Sequence, residues 1–163
     1  MQTSINQNIH RKEAWDKVSG KARYTDDMPV TGHLQARLLT SPHPYAKIKI
    51  IDSLRASKLQ GVKAIITGQD YPVLSGALLE DRPPIARDIV RYAGEVVAIV
   101  VAVTEDIALK AVRLIDVQYE LLNPIFSPTR ALEKDAPLIH PEISKYKKME
   151  KDINPVENSN IAS

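Results

Sequence analysis

The sequence predicts an α+β fold in which two short helices lie on one face of a mixed sheet, in the chain order β-β-α-β-β-α-β. Residues 96–103 are eight consecutive apolar residues rich in β-branched valine, which is typical of a central strand buried on both faces. Two stretches, 46–67 and 95–120, each show a strand, a short capped helix and another strand. Short helices between longer strands bury one face of a sheet, which is the α+β arrangement.

The first two strands are predicted from alternation. Apolar residues alternate with polar ones over residues 34–38, and with lysines over residues 46–50, so both segments are expected to be half-buried strands. The connection at 41–44 contains two prolines and leaves no room for a helix. A third strand is predicted over residues 62–67.

Both predicted helices have clear first residues. Asp52 and Ser53 can cap a helix over residues 54–60, and Gly61 can end it in the left-handed conformation. Thr104 can accept a hydrogen bond from the free backbone N–H groups of the second helix, and acidic residues follow it. After that helix the periodicity changes to the alternation of a strand over residues 115–120.

Two parts of the chain lack a sustained periodicity. Residues 71–88 contain three prolines and predict a long surface loop, which could bind a ligand on a rigid scaffold or could be disordered. Between residues 124 and 141, four prolines allow at most one helical turn, over residues 129–134. Residues 145–151 are charged, and residues 154–163 have the polar composition of a linker.

Composition restricts the classes of function. The 163 residues, 44% hydrophobic and 26% charged, fit one globular domain. A net charge of +2 and 5% aromatic residues give little support for a nucleic-acid surface. The sequence has no cysteine for disulfides, thiolate zinc sites or iron–sulfur clusters. No apolar run approaches the ~20 residues of a membrane helix, and the N-terminus lacks a signal-peptide core, so we expect a cytoplasmic protein without membrane contact.

Few side chains form a pattern typical of catalysis or metal binding. The sequence contains no GxGxxG, Walker or GxSxG motif, and its four histidines are far apart: His10, His33, His43 and His140. Glu95 could act as an acid or base, but no partner is fixed by spacing, so capping or a hydrogen bond to a neighbouring loop is expected instead. Asp26 and Asp27 precede a proline and are expected to be turn residues. We therefore predict no catalytic, cofactor-binding or metal residues in this chain.

Five blocks of sequence together resemble one enzyme family. They are residues 17–27 (KVSGKARYTDD), 41–46 (SPHPYA) with 51–52, 61–62 with 70–72 (DYP), 90–98 (VRYAGEVVA) and 117–120 (VQYE). In this order they are similar to the xanthine dehydrogenase/aldehyde oxidase family of molybdenum hydroxylases. The resemblance, over residues 17–141, is to the N-terminal a/b hammerhead domain of the molybdenum-binding large subunit.

The resemblance implies a fold, an activity and partners. The fold would be the a/b hammerhead. The family hydroxylates purines, aldehydes, N-heterocycles or carbon monoxide at a molybdenum–molybdopterin centre, and passes electrons through iron–sulfur clusters to FAD or another acceptor. Its catalytic and pterin-binding residues follow the hammerhead domain, so none is carried over to this chain. The resemblance implies partners in the remaining molybdopterin-binding region or subunit and in iron–sulfur and flavin subunits.

The expected organisation has three parts. A polar N-terminal arm covers residues 1–16, the hammerhead domain covers 17–144, and a linker over 145–163 leads toward a molybdopterin-binding region outside this chain. The candidate interface is the segment before the central strand, namely Arg91, Tyr92, Gly94 and Glu95.

Two other functions stay open. One is a free-standing module that binds a small ligand or a protein without catalysis, through residues 71–88. The other is nucleic-acid binding through the charged residues 145–151.

Overall fold

A computed structural model describes residues 10–28 and 30–162. The chain divides into an N-terminal unit that ends at His33 and a larger unit that begins at Leu34. The first nine residues of the predicted arm lie outside the described residues. The boundaries of arm, domain and linker stay a prediction.

The N-terminal unit has a regular backbone. Helix α1 (Ala14–Val18) is followed by a turn at Gly20 and a 3-10 turn at Thr25–Asp27. The Asp27 carboxylate accepts the Tyr24 backbone N–H at 2.9 Å, as expected of an aspartate in a turn. The helix was not predicted, because five residues with one large apolar side chain give too weak a periodic signal.

The larger unit contains six strands within the described residues: β1 (Gln35–Thr40), β2 (Ala46–Asp52), β3 (Val62–Thr67), β4 (Ile89–Val90), β5 (Val96–Ala102) and β6 (Asp116–Leu121). They form two three-stranded sheets, ordered β1-β5-β3 and β4-β2-β6, and every pairing is antiparallel. The predicted α+β class is confirmed, and the strands have the predicted chain order apart from the added two-residue β4.

The single mixed sheet predicted from the sequence is replaced by two antiparallel sheets. The physical reason lies in the strand–helix–strand stretches. The first leads from β2 in one sheet to β3 in the other, and the second leads from β5 back to β6. Because each helix carries the chain between sheets, the strands on either side of it are not neighbours and no parallel pair forms.

Within the described residues, three α-helices accompany the sheets: α2 (Leu54–Ser57), α3 (Glu105–Val112) and α4 (Pro128–Ala131). The predicted Thr104 cap is confirmed, since its Oγ1 accepts the Ile107 N–H at 3.3 Å. At α2 the prediction holds in part: Asp52 Oδ1 accepts the Leu54 N–H at 3.0 Å, but Ser53, the N-cap residue, makes no side-chain capping hydrogen bond. Helix α2 ends earlier than predicted. No helix in residues 10–28 and 30–162 is long and apolar enough to cross a membrane.

Gly61 explains how the chain passes from α2 into β3. Two consecutive tight turns lead to it, and its φ of +94° lies in the region that favours glycine. A Cβ there would also meet Ile107 Cδ1 of α3 at 2.8 Å. Glycine is therefore favoured by its backbone conformation, and a larger residue would also require the Ile107 side chain to shift.

The core is organised around β5, as predicted. Ile99 of this strand lies opposite Leu38 of β1 and Ile66 of β3, so β5 is central. One face is buried under α2 and α3 in a cluster made largely of small residues: Ala56, Ala98, Val100, Ala102, Ala108, Ala111 and Ile115. The other face is fully closed only at Val97, which packs with Ala46, Ala86 and Val90.

The loop over residues 71–88 is held by defined contacts. Ser75 and Arg82 exchange backbone hydrogen bonds at 2.8 and 3.0 Å, and Ile85 and Ala86 are buried. The loop also pairs with the segment predicted to begin the linker, because the Met149 N–H donates to the Leu78 carbonyl at 2.9 Å. Of the two possibilities that the sequence left open, the described contacts favour an ordered loop.

Candidate functional site

The four predicted interface residues lie in the turn between β4 and β5. The Gly94 N–H donates to the Ser41 carbonyl at 2.8 Å, and the Ser41 N–H donates to the Glu95 carbonyl at 2.8 Å. The φ of Gly94 is +92°, while a Cβ at this position would meet nothing within 4 Å. Glycine is therefore favoured here by backbone conformation alone, and the turn is fastened to the end of β1.

Glu95 points inward and holds the turn together. Its side chain is 3% exposed, and Oε2 accepts the Arg91 backbone N–H at 2.5 Å. Burial raises the pKa of the Glu95 carboxyl above 4.5, although this N–H and the Arg91 charge favour the ionised form. The hydrogen bond of the Glu95 side chain lies within this turn and not to a neighbouring loop, so Glu95 supports the surface rather than forming it.

Arg91 connects the turn to the C-terminal part of the chain. Its Nε donates to the Ile139 carbonyl at 3.2 Å, and its Nη1 donates to the Ile89 carbonyl at 3.5 Å. His140, which follows Ile139 in the chain, forms a hydrogen bond of 3.1 Å between its Nδ1 and the Tyr146 hydroxyl. Burial, and then the positive charge of Arg91, lowers the pKa of His140.

Tyr92 carries the exposed part of the candidate interface. It is 52% exposed and borders a groove of about 230 Å³ that also includes Phe126, which is 82% exposed. The Tyr45 hydroxyl, at the same groove, donates to the Leu138 carbonyl at 3.2 Å. We call this feature the aromatic groove, lined by Pro44, Tyr45, Arg91, Tyr92, Ala93, Pro124, Ile125, Phe126 and Ile139.

Phe126 was missed by the sequence analysis. It is the one phenylalanine of the chain and stands between Pro124 and Pro128. The prolines on both sides restrict the backbone, and helix α4 begins only at Pro128, so Phe126 itself lies outside a helix. A lone aromatic residue in such a segment is therefore a signal that could have found it.

A second cleft, of about 260 Å³, lies beside the 71–88 loop. Its lining combines rings and charges, including Tyr71, Asp81, Arg87, Arg91 and Tyr146. Such a lining could hold a small polar molecule.

The described residues do not fit a bound metal. In residues 10–28 and 30–162, no group of three or more His, Cys, Asp or Glu side chains is arranged so that it could hold a metal ion. The His33 ring contacts the Val30 carbonyl, and the His43 ring packs edge-on against Tyr119 with centroids 5.0 Å apart.

Residues 19–123 match the family described as "Aldehyde oxidase and xanthine dehydrogenase, a/b hammerhead domain". The chain belongs to this family. The match covers well over half of the chain and contains all six strands of the larger unit. The family resemblance and the hammerhead fold expected from the sequence are thereby confirmed.

Two curated relatives show what this hammerhead chain is similar to. It is 37% identical over 143 residues to "Xanthine dehydrogenase molybdenum-binding subunit" of Escherichia coli O157:H7, covering 80% of the chain and 19% of the relative. It is also 34% identical over 150 residues to a "Probable hypoxanthine oxidase" of Escherichia coli (strain K12), covering 87% of the chain and 16% of the relative.

A solved structure supports the same conclusion at the level of the fold. The crystal structure of a Cu,Mo-CO dehydrogenase in its carbon monoxide reduced state superposes with a TM-score of 0.77 at 30% identity. The match covers 93% of the hammerhead chain and 19% of the dehydrogenase chain. The chain thus spans less than one fifth of the length of each of these relatives.

Proposed function

We propose that this chain is the N-terminal hammerhead part of the molybdenum-binding subunit of a xanthine dehydrogenase-like hydroxylase, with a structural and interface role. The observation that carries the proposal is the match of residues 19–123 to the hammerhead domain. The much greater length of its relatives supports it further. Hydroxylation of a purine, aldehyde or N-heterocycle would belong to the full enzyme, whose molybdopterin-binding, iron–sulfur and flavin parts would hold the cofactors.

The interface we propose is the aromatic groove together with the turn that supports it. Gly94 and Glu95 set the conformation of the turn, and Arg91 holds it against residue 139. Tyr92 and Phe126 then present aromatic surface to a partner. Tyrosine and arginine are enriched among the residues that dominate binding energy in protein interfaces.

The interface is tested by substitution in the assembled enzyme. Tyr92→Ala and Phe126→Ala should each raise the Kd for the remaining molybdopterin-binding region by about tenfold or more, because each removes a central apolar contact. Both side chains are more than half exposed in the chain itself, so its thermal unfolding should change little.

The matched control is Leu132→Ala, at an exposed apolar residue that does not line the groove. This variant should bind like the unsubstituted chain. Titration with the partner region measures the Kd of each protein. If all three variants and the unsubstituted chain have equal Kd values, the groove is not part of the interface.

The cleft beside the 71–88 loop favours a second candidate, a free-standing module that binds a small ligand. In that case the isolated chain should bind purines or N-heterocycles in calorimetry, and Arg87→Ala should weaken the binding. Absence of heat with the isolated chain, together with assembly with the other subunits, would favour the interface role instead.

A further inference from the structure

The N-terminal unit displays apolar surface and buries none of its described residues. Between residues 15 and 30, five large apolar side chains are 58–79% exposed: Trp15, Val18, Tyr24, Met28 and Val30. Single exposed apolar residues are normal on protein surfaces, but such a density in one short segment marks an interaction site.

The backbone of this unit is defined although it has no core of its own. The Asp16 carbonyl accepts the Lys21 and Ala22 N–H groups at 2.8 and 2.9 Å, which closes the turn after α1. In α1, Trp15 and Val18 are three residues apart and therefore share a side of the helix. Because so short a helix is marginal in water, packing against another surface is needed to stabilise it.

We infer that the N-terminal unit is a docking element whose partner is an apolar surface of the molybdopterin-binding region of the same enzyme. The inference rests on the proposed function. In the molybdenum-binding subunit from Escherichia coli, 81% of the relative lies outside the match, which leaves ample polypeptide to provide that surface. The match to the dehydrogenase structure covers 93% of the chain and so includes most of this unit, which contains 33 of the 163 residues.

The charges of the unit favour an apolar partner over a charged one. Residues 10–30 carry five basic and four acidic side chains. Glu13 pairs with Arg11 at 2.8 Å and with Lys17 at 3.7 Å, so part of this charge is already neutralised within the segment. Docking should therefore depend on burial of Trp15 and its apolar neighbours and should change little with salt concentration.

The test uses the chain purified together with the remaining subunits. In hydroxyl-radical footprinting read by mass spectrometry, oxidation of Trp15 and Met28 should fall about tenfold on assembly relative to the free chain, since both side chains become covered. Met149, which is 52% exposed in the larger unit, reports the radical dose in the free chain.

Substitution provides a second readout. Trp15→Ala should raise the Kd for the remaining subunits by about tenfold. Lys17→Ala, in the same helix, removes only a surface ion pair and should leave the Kd within about twofold. Neither substitution should lower the thermal stability of the larger unit, which can be checked on the isolated chain.

The outcomes separate the docking inference from the proposed function. If the chain assembles but Trp15 stays oxidisable and Trp15→Ala binds normally, the docking inference is overturned and the proposed function stands. Protection of Trp15 in the free chain, whether by the chain itself or by a second copy, would also overturn the inference. If no complex forms at all, the proposed function fails and the inference fails with it.

Discussion

Burial and hydrogen bonding act in opposite directions on the Glu95 carboxylate. Burial raises its pKa above 4.5, and the Arg91 N–H and guanidinium favour the charged form without cancelling the effect of burial. A carboxyl group whose pKa is higher in the folded state binds protons more readily when folded. Its contribution to stability is therefore fully present below pH 4.5 and is lost as the pH rises through the folded-state pKa.

Glu95→Gln tests this balance. The amide keeps an acceptor for the Arg91 N–H but does not ionise. The free energy of unfolding of the variant should therefore fall less than that of the unsubstituted chain as the pH rises above 4.5. Urea unfolding of both proteins from acid to neutral pH measures the difference. Glu95→Ala, which leaves the Arg91 N–H without this acceptor, should be destabilised by about 1–3 kcal/mol. An unchanged pH dependence in Glu95→Gln would assign it to other groups.

At the scale of elements, periodicity and capping residues predicted most helices and strands. They did not predict which strands pair with each other. Alternation over residues 46–50 predicted the strand but not its whole inward face, because the pairing of β2 with β6 shifts register between Ile48 and Ile50. Ile50 is 52% exposed and Ile51 packs against the core instead. The alternation also does not show which strand lies alongside. The added β4 has two residues and is defined only by its pairing with β2. The two sheets follow from helices that carry the chain between them, which is a property of tertiary packing.

Helix α3 depends on its first residue. Thr104→Ala removes the acceptor for the Ile107 N–H and should lower the free energy of unfolding by about 1 kcal/mol. Thr104→Ser keeps a hydroxyl oxygen at the same position and should recover most of that loss. Chemical denaturation of the three proteins checks both effects, and equal stability of Thr104→Ala would show that packing on the sheet alone holds the helix.

The candidate site was predictable in part for similar reasons. The segment before β5 was recognised because a glycine and a charged residue precede a long apolar run. The inward direction of Glu95 depends on Ser41 and Arg91, and the exposure of Phe126 depends on how the prolines around it are placed. The contact with Ser41 joins residues distant in sequence and leaves no local pattern, whereas the prolines beside Phe126 are a local signal.

At the scale of the whole molecule, we propose two surfaces that bind a partner. The larger unit presents the aromatic groove with Tyr92 and Phe126, and the N-terminal unit presents the apolar side chains around Trp15. The larger unit has its own core around β5, so it can keep its fold while these surfaces stay open. Such a combination is typical of one domain in a larger enzyme.

The most direct test of the interface role is reconstitution of the enzyme with and without this chain. With the remaining subunits, the chain should elute as one stoichiometric complex, and hydroxylase activity should appear only when the chain is present. Full activity of the remaining subunits without the chain, together with separate elution, would contradict the account.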